Sequence, residues 1–143
     1  MANIAAEHVT DAPLEKVFDY VADSSNVPQW FYGVQSFEPL TELTRGLGSR
    51  YAISLNVGKT MTARFECIEF VENELITVRT FDGPQASSRW TFQPDGSGTR
   101  IRGEFDYTLP GGMAGAALST LIKPVLGVAV KQTTANLLKY AGR

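Results

Sequence analysis

Residues 51–107 read YAISLNVGKTMTARFECIEFVENELITVRTFDGPQASSRWTFQPDGSGTRIRGEFDY. Apolar and polar side chains alternate through most of this stretch, the period of a strand with one buried face. Breaker clusters cut it into hairpins: Val57-Gly58-Lys59, Glu72-Asn73, Gly83-Pro84-Gln85 and Pro94-Asp95-Gly96-Ser97-Gly98. Turning the chain at each cluster sets a register. Tyr51, Ile53 and Leu55 then face Phe65, Ala63 and Met61, and Cys67 faces Val78 with Phe65 opposite Thr80. Val78 meets Trp90 and Thr80 meets Ser88, while Phe92 meets Ile101 and Trp90 meets Gly103. One face carries Ile53, Leu55, Met61, Ala63, Phe65, Ile76, Val78, Trp90, Phe92, Ile101, Phe105, Tyr107 and Leu109. The other carries Arg64, Glu66, Arg79, Arg89, Arg100, Arg102, Glu104 and Asp106. Such parity predicts a one-sided antiparallel meander.

Upstream, Ile4 to Thr10 reads as a strand ended by Asp11-Ala12-Pro13. Thr10 or Asp11 is placed to cap a helix with Pro13 in its first turn and Leu14, Val17, Phe18 and Val21 on its apolar face. Asp23-Ser24-Ser25-Asn26 breaks that helix, and Asn26 is placed to cap a very short one through Val27-Pro28-Gln29-Trp30. Val34 to Leu43 is a strand that Pro39 pushes toward an edge or a bend. Downstream, Leu109-Pro110-Gly111-Gly112 releases a new element, a mobile link in this reading. From Met113 onward Ile122, Leu126, Ala129, Thr133, Leu137 and Tyr140 form a helical stripe. The spacing predicts an amphipathic helix of about seven turns, kinked at Pro124. Its apolar face needs a broad partner, and the sheet is the one the sequence offers.

The bulk composition sets outer bounds. With 143 residues, 43% hydrophobic and 20% charged, the chain reads as a single globular domain over 1–143. A net charge of -2 argues against nucleic acid as a partner. One cysteine, Cys67, excludes an internal disulfide and leaves no zinc ligand set. Met1-Ala2-Asn3-Ile4 lacks the basic and apolar regions of a signal peptide. Pro124 and the glycines around it argue against stable membrane insertion, so a cytoplasmic location is expected. A monomer and a homodimer are equally compatible with the sequence.

The element order is therefore β-α-α-β6-α, an α+β architecture in which a strongly curved antiparallel β-sheet wraps a long kinked C-terminal helix. In this the chain resembles the helix-grip (SRPBCC) superfamily, which groups START-like, birch-pollen-allergen-like and polyketide cyclase/dehydrase-like proteins. The resemblance is carried by Asp11-Ala12-Pro13 with Val17-Phe18, by Asp23 followed by Asn26-x-Pro28-x-Trp30, by the hairpin exit Gly98-Thr99-Arg100-Ile101, and by the terminal helix. It implies a cavity between the concave sheet face and that helix, with Trp30 and Phe31 near its mouth.

Parity and the resemblance together nominate ligand-binding residues. Trp30 and Phe31 come from the short helix, and Tyr51, Ile53, Ala63, Phe65, Val78, Thr80, Ser88, Trp90, Gly103, Phe105 and Tyr107 from the sheet. Ile122, Leu126 and Thr133 come from the terminal helix, with Gln132 and Asn136 as further polar candidates. Apolar walls with a few hydroxyls suit a hydrophobic small molecule such as a lipid, polyketide or isoprenoid. A filled core would use the same residues. Asp82, Tyr51 and Tyr107 are the catalytic candidates if the chain is a cyclase or dehydratase. Asp82 falls inward by parity, yet it adjoins the Gly83-Pro84 turn, where an aspartate commonly serves the turn itself. His8 has no triad or metal spacing around it, and Cys67 reads as inert packing, so no metal and no cofactor are expected. The row Glu66, Arg79, Arg89, Glu104 reads as a solvated charge ladder. Ligand binding without turnover is the leading expectation; enzymatic cyclisation or dehydration and a surface-acting interaction role stand as alternatives.

Overall fold

The computed structural model describes residues 2–31, 33–56, 60–83, 85–108, 132, 133, 135–137 and 139. It contains β1 (Ala2–Thr10), α1 (Leu14–Ala22), a 3-10 turn (Ser24–Asn26), α2 (Val27–Trp30), β2 (Val34–Pro39) and β3 (Arg50–Asn56). Then follow β4 (Thr60–Val71), β5 (Leu75–Asp82), β6 (Ala86–Asp95) and β7 (Gly98–Tyr107). The strands form one curled seven-stranded antiparallel sheet in the order β1-β7-β6-β5-β4-β3-β2. Near the C-terminus, residues 132, 133, 135–137 and 139 are helical. Leu137 is fully buried in the core, and Asn136 Nδ2 reaches the Trp30 carbonyl at 3.5 Å. The Leu109–Gly112 link, the Pro124 kink, Ile122 and Leu126 lie outside the described residues.

Most of the expected register is observed. Tyr51, Ile53 and Leu55 pair with Phe65, Ala63 and Met61, and Trp90 and Phe92 pair with Gly103 and Ile101. Cys67 pairs with Val78 and Phe65 with Thr80 as expected, but by a different route. The turn after β4 holds three residues, with Asn73 at φ 62°, and a bulge between Cys67 and Glu69 absorbs the extra residue. The β5–β6 register differs from expectation by two residues: Val78 pairs with Ser88 and Ile76 with Trp90. The cause is local. Thr80 Oγ1 accepts the Ala86 N–H at 3.0 Å, so the connection begins two residues earlier than Gly83. A shift of two preserves which side chain lies on which face. The charge ladder is altered, because Arg79 now opposes Ser87 rather than Arg89. Of the ladder's acidic members, Glu66 pairs with Arg50 and Glu104 with Arg102, each at 2.9 Å.

β2 is shorter than expected. It stops at Pro39, which cannot donate to a ladder. The caps differ too. Pro13 occupies the N-cap of α1 without a side-chain hydrogen bond, and Thr10 Oγ1 instead accepts the Ala12 N–H at 3.3 Å. Asp23 caps the 3-10 turn through the Ser25 N–H at 3.0 Å, and Asn26 Nδ2 donates to the Tyr20 carbonyl at 3.1 Å rather than capping α2.

α1 lays its buried face on the sheet where β4 and β6 present rings. Phe18 is fully buried and meets Phe70 and Phe92 edge to face at 5.4 and 5.2 Å. Arg45 then closes that cluster from outside. Its guanidinium lies 5.5 Å from the Phe18 ring centre while pairing with Asp19 at 2.9 Å and Glu72 at 3.0 Å. At the other end of α1, two of the sequence motifs prove to be one contact. Thr99, fully buried, donates from Oγ1 to the Ala12 carbonyl at 2.8 Å, which ties the start of β7 to the β1–α1 corner. Gly98 sits so close beneath that corner that an added Cβ would lie 2.0 Å from the Thr10 carbonyl oxygen. Gly98→Ala therefore has to move backbone and should cost about 3 kcal/mol, the upper end for overpacking, in urea unfolding. The exposed neighbour change Ser97→Ala should cost within about 0.5 kcal/mol.

Candidate functional site

The sheet curls around a cavity of about 260 Å³ on its concave face. β3 to β7 supply its floor, α1 and α2 one flank, and Thr133 of the C-terminal helical segment reaches it as well. Of the expected binding residues, Trp30, Phe31, Tyr51, Ile53, Ala63, Phe65, Val78, Thr80, Ser88, Trp90, Phe105, Tyr107 and Thr133 all line it. Gly103 does not. It is buried beneath Trp90, and an added Cβ would lie 2.6 Å from Cζ3 of that ring. Trp90 lines the cavity in its place. Val21, Ala22 and Val27 of the helices, Phe37 of β2, and Met61, Cys67 and Ile76 on the inward parity positions also line it. The helical stripe Val17-Phe18-Val21 carried a signal for the first group. Phe37 was hidden by the irregular β2, where the register shifts between Val34 and Ser36.

An aromatic relay forms one wall. Trp30 stands edge-on to Trp90 at 5.2 Å with the ring planes at 90°. Phe105 meets Trp90 at 5.5 Å, and Phe31 meets Phe105 at 5.5 Å. On the opposite flank Phe37 stacks on Tyr51 at 4.7 Å.

The polar groups have distinct employments. The Tyr51 hydroxyl donates to the Thr44 carbonyl at 2.9 Å and lies 2.8 Å from Ser49 Oγ, which donates to the Gly46 carbonyl at 2.6 Å. This network holds the loop before β3. Burial pushes the Tyr51 phenol above its usual range, opposed by the Ser49 hydrogen bond and helped by Cys67. Burial also raises the Cys67 thiol, whose Sγ contacts the Glu69 carbonyl at 3.4 Å. A protonated, buried thiol fits the packing role. Thr80, as noted, spends its hydroxyl on the Ala86 N–H. Ser88 is buried in the wall, and Tyr107 and Gln85 stand where β6 and β7 pair toward Ala86–Tyr107.

Asp82 lies elsewhere. A bulge between Arg64 and Phe65 pairs Thr80 with Phe65 and Asp82 with Arg64, leaving Phe81 as the extra residue. The carboxylate consequently turns to the outer face, 67% exposed, with its oxygen 3.8 Å from Arg64 Nε. Parity alone placed it inside because alternation carries no mark of a bulge. His8 is exposed on β1. Among the described residues no group of histidine, cysteine and carboxylate side chains is arranged to hold a metal ion, and no helix is long and apolar enough to cross a membrane.

A family model described as polyketide cyclase / dehydrase and lipid transport matches residues 1–142. The chain belongs to that family. A sequence search of curated proteins gave no match. Solved structures with the same fold include TTHA0849 from Thermus thermophilus, with a TM-score of 0.83 at 22% identity over 98% of this chain and 97% of that one. A START superfamily protein from Mycobacterium smegmatis gives a TM-score of 0.76 at 16% identity over 97% and 96% of the two chains. The di-domain ARO/CYC StfQ from the steffimycin biosynthetic pathway gives 0.75 at 12% identity over 97% of this chain and 50% of that one. At these identities the likeness is one of fold.

The raised Tyr51 pKa has a measurable consequence. The folded protein keeps this phenol protonated to higher pH than the unfolded chain does. Its contribution is thus complete below about pH 10 and is lost as pH rises past that point. Tyr51→Phe should be less stable than wild type by about 1 kcal/mol at neutral pH. That gap should narrow when urea midpoints are compared at about pH 10.5; a constant gap would contradict the assignment.

Proposed function

We propose that the protein binds a largely hydrophobic small molecule, of lipid, polyketide or isoprenoid character, in the cavity between the sheet and the C-terminal helical segment. The observation that carries this reading is the cavity itself, about 260 Å³ of mostly apolar lining inside a core closed on its other side by tight ring contacts. The cavity is partly open and its lining is mostly apolar, so a hydrophobic ligand that covers the lining gains roughly 25 cal/mol for each Å² of apolar surface taken out of water. The volume lies just below the usual range for ligand pockets, about 300–1,000 Å³, which favours a compact ring system or short chain.

Cyclase or dehydratase chemistry in the same cavity would need an interior proton-transfer group. The carboxylate nominated for it, Asp82, is on the outer face, and the Tyr51 hydroxyl is committed to the loop before β3, which leaves Tyr107 on the cavity lining with no nominated carboxylate inside to exchange a proton with it. Binding without turnover is accordingly the reading we adopt.

The neutral fluorophore N-phenyl-1-naphthylamine provides the test. Wild-type protein should bind it with enhanced, blue-shifted emission. Ser88→Trp fills the cavity from its wall and should weaken binding at least about tenfold, which is more than about 1.4 kcal/mol, while far-UV circular dichroism stays unchanged. Equal uptake by a folded Ser88→Trp protein would refute the site.

A further inference from the structure

We propose that the outer edge of β1 is a docking site for a second copy of this chain, the two β1 strands pairing antiparallel about a two-fold axis at Ala6. β1 closes one end of the sheet and β2 the other. An edge strand carries an unpaired row of backbone donors and acceptors, which proteins ordinarily guard with brevity, proline, bulges or charge. β2 has such guards: it is six residues long, ends at Pro39, and its register shifts between Val34 and Ser36. β1 lacks them. It runs nine residues without proline, lysine or arginine, in unbroken register with β7 from Ala2–Tyr107 to Thr10–Thr99. Its one carboxylate is drawn back over the sheet, since Glu7 pairs with Arg100 at 2.7 Å and Arg102 at 3.8 Å, both on β7. Among the described residues no strand pairs with the other side of β1. The strand is also accessible. Ala5, Glu7, His8 and Val9 are exposed, Val9 by 51%. His8 is exposed although it lies opposite Ile101, an inward position, so this end of β1 is open on both faces.

The sequence of the strand selects its partner. Two identical antiparallel strands are symmetric about one residue, and each choice of centre makes a different set of facing pairs. A centre at Glu7 sets two carboxylates face to face, which destabilises a sheet, and a centre at His8 sets histidine against histidine. A centre at Ala5 leaves Val9 and Thr10 unpaired. A centre at Ala6, the midpoint of Ala2–Thr10, engages all nine residues of both strands. It puts alanine against alanine at the axis and Ala5 opposite the partner's Glu7. Every facing pair then lies on the same face, so the two seven-stranded sheets join into one. A single strand-to-strand contact sits at the small end of protein interfaces, under about 1,200 Å², so the dimer is reversible and forms at roughly 100 μM and above.

Sedimentation equilibrium at low ionic strength, over concentrations bracketing that value, tests the pairing. The wild-type mass should rise from 15.6 kDa toward twice that value. Ala5→Glu places a carboxylate opposite the partner's Glu7 on both sides of the axis and should weaken the dimer about tenfold. Ala5→Lys makes the same two contacts attractive and should dimerise at least as tightly as wild type. Within one protomer Ala5 lies opposite Glu104, so far-UV circular dichroism checks that both variants keep the fold. If Ala5→Glu fails to fold, Ala5→Lys and amide hydrogen exchange decide: β1 amides should gain protection at high concentration and β2 amides should not. A mass of 15.6 kDa at every concentration would overturn the proposal. So would equal weakening by glutamate and lysine, or a dimer whose formation leaves exchange in β1 unchanged.

Discussion

Trp90 lies across Gly103, and the cavity wall is built outward from that contact. The two residues are cross-strand partners on β6 and β7, and the missing side chain at position 103 lets the indole settle against the backbone. With Trp90 lowered onto the sheet, Trp30 can approach edge-on from α2, and Phe105 and Phe31 extend the row. The floor is thereby rigid at one end, where rings are in van der Waals contact. The remaining concave surface is lined by smaller groups such as Ala63, Val78 and Ser88 and stays open. A side chain at position 103 would lift Trp90 and close the space it now leaves free.

The second constraint is the corner where β1 turns into α1. Thr99 and Gly98 hold it against the start of β7, which fixes how α1 crosses the sheet and hence where Phe18 enters the Phe70 and Phe92 cluster. Arg45 covers the same cluster from the loop before β3, and Tyr51 anchors that loop from within. The structure therefore has two different interiors. One is a filled aromatic core beneath α1, and the other is a hollow beneath α2 and the C-terminal helical segment.

Much of this was legible in the sequence because strand parity is a strong constraint. A slip of one residue would have exposed Ile53, Phe65 and Trp90 together, so the alternating stretch had one consistent solution for its faces. The finer register was less visible. The β5–β6 hairpin moved by two residues because a threonine hydroxyl replaced a turn hydrogen bond, an exchange that leaves the alternation intact. Asp82 was misplaced for a related reason, since a bulge at Phe81 turns the next side chain outward and alternation alone cannot register it. Gly103 sat at the correct inward position, but whether its neighbour's ring covers it depends on a rotamer.

The central claim is that the hollow interior holds a ligand rather than being left vacant. The most direct measurement is native mass spectrometry of the protein purified gently from its own host. The expected result is a mass above 15.6 kDa by one small molecule, lost on denaturation. The same measurement on emptied protein should show that mass regained on challenge with the released compound. A bare 15.6 kDa species both as purified and after challenge with aromatic ketones and short acyl compounds would contradict it.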